Sequence, residues 1–271
     1  MVKKLFRYEF TAWLRSMLPF YITLGAMALT ARFVQLFERD TQAYRTVFWS
    51  AVALLIAAVI VCLVMTVIMG LVRFYKNLFS SEGYLSFMLP VTPLQHLLTK
   101  SLTALGMMLI SCAASLLAGA IAASGRPLAE FVKAVLYILR TLGDYFGLSM
   151  PFFVLEGFVG GCMFILAAYM FLYFCLCVGQ LARKHRILAA LGVFLGFYVL
   201  AQVLMVVLLV NFDTVIGWAP LVWWDHLFCV MDPPTLPLHI ALCAALVWHV
   251  LLAAAFTVLS KLILSRRLNL E

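Results

Sequence analysis

Val47–Val72, VFWSAVALLIAAVIVCLVMTVIMGLV, carries no charged residue, and the stretch that follows it, Arg73–Lys100, reads RFYKNLFSSEGYLSFMLPVTPLQHLLTK. The first run exceeds the ~20 apolar residues that cross a bilayer as a helix. The second is edged by Arg73, Lys76 and Lys100, broken by Pro90 and Pro93, and followed by another apolar run, Ser101–Ala123. Two apolar runs around a short polar insert describe a pair of membrane helices joined outside the hydrocarbon.

The rest of the chain agrees. Hydrophobic residues make up 66% of it and charged residues 11%, against roughly 45–50% and about 25% in a soluble domain. Its 271 residues hold about six spans with short loops and no sizeable soluble domain. The expectation is an all-α integral membrane protein, a single transmembrane domain over residues 1–271.

Residues 1–16 lack a small-residue cleavage site, and basic residues interrupt the apolar ones, so they do not read as a signal peptide. Val2, Phe6, Phe10 and Trp13 fall on one helical face, and Lys4, Arg7, Thr11 and Arg15 on another. That spacing predicts an amphipathic helix in the membrane interface, aromatics in the headgroup layer and cations toward anionic lipid. The alternative is a basic tail without regular structure. Six spans are expected at about 17–37, 47–72, 101–123, 151–180, 188–210 and 237–264. Between the third and fourth, residues 124–149 carry Leu128, Phe131, Val132, Val135, Leu139 and Leu142 on one helical face. Charges recur there about every turn, so this reads as a surface helix and not a span. The loop 211–236 holds Asp213, Asp225 and Asp232, no Lys or Arg, and Trp218, Trp223 and Trp224, a composition suited to the headgroup region.

The basic balance, +8, raises nucleic acid as a partner, but the distribution of charge excludes that reading. With the N-terminus, the Arg73–Lys100 insert, the Leu181–Arg186 turn and the C-terminus on one side, that side holds thirteen of the 19 Lys and Arg against three carboxylates. The opposite loops hold six cations and seven carboxylates. The positive-inside rule then makes the first side cytoplasmic, with both termini inside. The expected location is a plasma membrane crossed several times.

No GxxxxGK[ST], HExxH or GxSxG motif occurs, and no span holds a pair of carboxylates. The five His and seven Cys show no metal-ligand or disulfide spacing, so the cysteines read as small packing residues. The chain is not expected to be an enzyme by itself, and no cofactor is expected in it. Energy for any work must come from another chain or an ion gradient.

The insert concentrates the polar design. Ser80 and Ser81 can cap a new helix after the second span ends near Leu78. Glu82 then falls in a first turn, where the helix dipole favours a carboxylate. Gly83 permits close backbone approach, and Tyr84, Leu85, Phe87, Met88 and Leu89 offer an apolar and aromatic surface. Pro90 stops that helix. Thr92-Pro93-Leu94-Gln95 is a capping box with Pro at its first helical position, and it starts the next helix. The piece reads either as a rigid knob for a partner or as an ordinary loop with Tyr84 and Leu85 anchored at the interface.

The run SSEGYLSFMLPVTPLQHLLTK, residues 80–100, resembles the EGYL(T/S)F, LPV(S/T), Q, (S/T)K segment of permease subunits of bacterial ATP-binding-cassette transporters of the type 2 exporter class, the group common in Firmicutes. Val178-Gly179-Gln180-Leu181 with Lys184-His185-Arg186, the tail Leu268-Asn269-Leu270-Glu271, and Lys4-Leu5-Phe6-Arg7-Tyr8-Glu9-Phe10 are similar to that group too. The resemblance implies a type V exporter-like fold with six spans per subunit, a second permease subunit, identical or paralogous, and separate ATP-binding subunits that carry ATP and Mg. Residues 80–92 would be the coupling helix region, with Ser81, Glu82, Gly83, Tyr84, Leu85 and Phe87 meeting the ATPase. Phe6, Arg7, Phe10 and Trp13 would belong to the connecting helix beside it. The loop before the last span would be an extracellular re-entrant part.

Glu156 stands alone inside a span. A carboxylate there is costly and usually faces the bundle interior or a water path. It precedes Gly157, which pairs with Gly161 as GxxxG, a spacing that lets helices approach closely. Gly192 and Gly196 form a second such pair. Glu156 reads as a substrate or proton contact in a pathway, or as a carboxylate near the outer headgroups, solvated or paired with Arg126 or Arg140. The expected function is an ATP-driven export permease for a hydrophobic or amphipathic substrate such as a peptide antibiotic, drug or lipid. An ion-gradient-driven secondary transporter and a non-transporting sensor or scaffold subunit are the alternatives.

Overall fold

The computed structural model describes residues 2–37, 41–79, 92–182, 184–211, 226, 230 and 233–266. Among these are seven α-helices: α1 Val2–Leu36, α2 Gln42–Phe79, α3 Pro93–Ala122, α4 Arg126–Phe146, α5 Met150–Gly179, α6 Arg186–Val210 and α7 Thr235–Arg266. A short 3-10 turn, Gly147–Ser149, joins α4 to α5. Six stretches are long and apolar enough to cross a membrane, as expected for a multi-pass membrane protein. One of them runs Pro127–Gly179. The charges on α4 assign the crossing there to α5.

The chain forms two compact units, Met1–Leu139 and Arg140–Glu271. In the first, α1, α2 and α3 pack against one another. The buried residues of α2 are Ala51, Leu55, Cys62, Thr66, Gly70, Phe74 and Leu78. They recur at intervals of four and seven, so one stripe faces its neighbours along the whole helix. Outside that stripe Leu54, Ile56, Ile60 and Val61 are exposed. Large apolar side chains turned outward suit lipid, not water.

Residues 1–16 and the first apolar stretch form one helix: α1 is continuous from Val2 to Leu36 with Pro19 inside it. Glu9, Trp13, Met17, Leu24, Ala28 and Ala31 are buried along one stripe on both sides of Pro19, which is itself exposed. Packing on the opposite face carries the helix past the missing N–H. The helix is about 50 Å long at 1.5 Å per residue, more than the ~30 Å hydrocarbon layer.

Helix α3 starts where its capping box predicts. The backbone N–H of Gln95 donates to Thr92 Oγ1 at 3.4 Å, and the Thr92 N–H donates to Gln95 Oε1 at 3.1 Å. The far end of α3 is closed by Arg32, which donates from Nη1 to the Ser124 carbonyl and to Gln35 Oε1. Gly125, at φ +105°, turns the chain toward α4, and a Cβ there would meet Arg32 Nη1 at 3.2 Å.

In the second unit α5 packs against α6 and α7. The turn from α5 to α6 depends on Gly179. A Cβ at this position would lie 2.6 Å from Ala190 Cβ and 2.7 Å from the Arg186 carbonyl oxygen. His185, at φ 55°, takes the left-handed conformation that reverses the chain there. The two GxxxG pairs do not serve close approach among the described residues: a Cβ on Gly157, Gly161, Gly192 or Gly196 would meet nothing within 4 Å. Small size permits a close contact but does not create one.

Candidate functional site

Three helices of the first unit converge on the carboxylate of Glu9. Helix α1 places this residue one turn before buried Trp13 and so turns it inward. Arg73 and Asn77 are one turn apart on α2, and Lys100 lies on α3. Lys100 Nζ donates to Glu9 Oε1 at 2.9 Å, and Asn77 Nδ2 donates to the same oxygen at 2.8 Å. Arg73 Nη2 donates to Oε2 at 3.2 Å. Glu9 and Lys100 are each only 6% exposed. A buried charge is tolerable when it is paired and hydrogen-bonded, and Glu9 has both kinds of partner.

Arg73 and Lys100 are the first and last residues of the insert. Each end of the insert is therefore tied to one carboxylate on the N-terminal helix. Ser81, Glu82, Gly83, Tyr84, Leu85 and Phe87 lie outside the described residues. Their flanks are described: α2 ends at Phe79, whose ring meets Phe74 at 5.8 Å and Tyr75 at 6.0 Å, and α3 begins at Pro93.

The four N-terminal positions divide. Arg7 is exposed, as are Lys4, Thr11 and Arg15. Phe6 and Phe10 stack at 5.8 Å. Phe10 packs against Gly106 of α3, where a Cβ would meet its ring at 3.4 Å. Trp13 is 2% exposed. The cationic face is as the spacing predicts. Of the aromatic face, Phe10 meets α3 and Trp13 is buried. The sequence reading missed Glu9, although it sits in register with Trp13 and Met17 at intervals of four. Deeper in the same unit Ser111 Oγ lies 2.7 Å from Thr66 Oγ1 and 2.8 Å from Tyr21 OH, linking all three helices through hydroxyls.

In the second unit Glu156 is partnered by His239 of α7, a pairing absent from the sequence reading. His239 Nδ1 is 2.9 Å from each carboxylate oxygen. Phe153, one turn before Glu156, stacks on the imidazole with ring centres 4.1 Å apart and so fixes its orientation. Both side chains stay about a quarter exposed, unlike Glu9. The available signal was depth: Glu156 and His239 each follow closely on the start of their helices. Gly157 is exposed beside the pair.

The described cysteines are free thiols. Among the described residues no three His, Cys, Asp or Glu side chains gather into a metal-binding group. No protein family, curated protein or solved structure matches the chain.

Proposed function

We propose that the chain is the membrane permease subunit of an ATP-driven exporter that moves a hydrophobic or amphipathic substrate across a bacterial plasma membrane. The observation that carries this reading is the tie between Glu9 and both flanks of residues 80–91. A segment that delivers force to membrane helices needs rigid flanks, and Arg73, Asn77 and Lys100 anchor them to α1. In this reading Ser81, Glu82, Gly83, Tyr84, Leu85 and Phe87 meet a separate ATP-binding subunit, which holds ATP and Mg. Both termini and that segment face the cytoplasm, and a second permease subunit completes the pathway. The sequence similarity of residues 80–100 to exporter permeases supports the same assignment. Movement of the segment would pass through α2 and α3 to change access to the pathway.

Purification in mild detergent tests this. An ATPase subunit should co-purify in stoichiometric amount, and Glu82→Arg or Tyr84→Ala should release it. Absence of any ATPase from the wild-type preparation sinks the proposal. Retention of the ATPase by both variants moves the contact elsewhere.

The Glu156–His239 pair favours a second reading, transport driven by an ion gradient, because an imidazole and a carboxylate in contact can exchange a proton. Transport into vesicles that survives ATP depletion and stops with a protonophore would select this reading.

A further inference from the structure

Beside the Glu9 cluster, between the first turns of α1 and of α3, runs a groove of about 380 Å³ bounded by Lys3, Phe6, Gln95, Leu98, Thr99 and Leu102. We infer that this groove is a discrete site for one anionic phospholipid, with its phosphate at Lys3 and Gln95 and its acyl chain along Phe6, Leu98 and Leu102. The inference stands apart from the exporter reading, since nothing in it needs an ATPase.

Charge is the first argument. Glu9 is the sole carboxylate in residues 1–37, and it is buried against Lys100, Arg73 and Asn77. The exposed cations Lys3, Lys4, Arg7 and Arg15 are left without an acidic neighbour on their own helix. The second argument is the pattern of donors. Gln95 uses its side-chain oxygen to accept the Thr92 N–H, which leaves its NH2 as a donor. Thr99 spends its hydroxyl on the Gln95 carbonyl. The free donors left to the groove are thus an ammonium and an amide NH2, and among the described residues no carboxylate lines it. The third argument is the wall. Leu98 and Leu102 are 48% and 52% exposed and form one ridge of α3 opposite Phe6. A soluble anion gains nothing from such a wall, and a zwitterionic lipid gains little from an unopposed Lys3. A basic mouth over an apolar wall between two membrane helices matches an anionic phospholipid.

The test uses the full chain in nanodiscs made from equal parts phosphatidylglycerol and phosphatidylcholine, moved into mild detergent. Native mass spectrometry then counts the lipids each chain retains. The wild type should keep one phosphatidylglycerol in preference to phosphatidylcholine. Lys3→Gln should lower that retention about fivefold, the factor one cation near a charged surface contributes. Lys4→Gln, a change of equal charge outside the groove, should leave it within about twofold. Leu98→Trp should abolish retention by filling the groove, and Leu102→Trp repeats the block from a second position should the first variant fail to fold. Inorganic phosphate should not displace the lipid. Equal losses from Lys3→Gln and Lys4→Gln would mean a diffuse charged surface and overturn the site. So would retention in both Trp variants, equal retention of the two lipids, or displacement by phosphate.

Discussion

The two units of this protein hold their helices together by different means. The unit Met1–Leu139 buries Glu9, Thr66, His96, Thr99, Lys100, Ser101, Thr103 and Ser111. Among its described Ser, Thr, His, Lys and Glu side chains, the unit Arg140–Glu271 buries Thr257 and Ser260. It relies on rings: Phe171, Phe174, Phe194, Phe197 and Phe256 meet at centroid separations of 5.3–6.1 Å. It relies also on the close approach at Gly179. Lipid is as apolar as leucine, so burying leucine gives membrane helices no reason to associate. Polar bonds and tight packing are the remaining sources of attraction, and each unit draws mainly on one of them.

The contrast breaks first at Glu9. Glu9→Leu removes the carboxylate shared by buried Lys100 and half-buried Arg73, and removing one partner of a buried pair costs about 3–5 kcal/mol. Lys100→Met should cost clearly less, because Glu9 keeps Arg73 and Asn77. Unfolding midpoints in mixed detergent give both values. A loss from Glu9→Leu no larger than that from Lys4→Gln would remove the cluster from the account of how the first unit is held. On the packing side, Gly179→Ala should cost about 1–3 kcal/mol, as overfilling a tight contact does. Gly157→Ala and Gly192→Ala should stay within about 0.5 kcal/mol, having no neighbour to disturb. Ser111→Ala probes the hydroxyls that join Thr66 and Tyr21. Interhelical hydrogen bonds in membranes average about 0.6 kcal/mol and reach about 1.7, so this variant should fall below Gly179→Ala in the same assay.

The sequence made the helices legible and left most of their partners hidden. Six apolar runs, the Thr92–Gln95 capping box, the amphipathic α4 and the turn after Gly179 follow from period and local chemistry. Those signals reside in consecutive residues. The continuity of α1 through Pro19 was not legible, because it depends on a buried stripe whose burial is set by α2 and α3. Nor were the partners of Glu9 and Glu156, which come from helices 64 to 91 residues away in sequence. The GxxxG pairs err in the other direction: the pattern is local, the approach it permits is not, and among the described residues nothing lies within 4 Å of a Cβ at Gly157 or Gly192.

A small expected effect falls on the second carboxylate and sharpens the comparison most. Glu156 shares with Glu9 a place on a membrane helix and a nitrogen partner at 2.9 Å. It differs in keeping about a quarter of its surface exposed and in pairing with an imidazole in place of two fixed cations. Exposure lets water or headgroups take over a lost contact, so the net worth of such a pair is at most about 1 kcal/mol. Glu156→Gln retains a side-chain oxygen that can accept from His239 Nδ1, and the stack with Phe153 remains. The variant should therefore unfold within about 1 kcal/mol of wild type, whereas Glu9→Gln leaves buried Lys100 and half-buried Arg73 facing a neutral amide and should lose several times more. Parallel unfolding curves of the two Gln variants decide this. Equal losses would show that Glu156 also ties its helices together. Unequal losses leave it a carboxylate whose presence stability does not explain, which is what a transport contact requires.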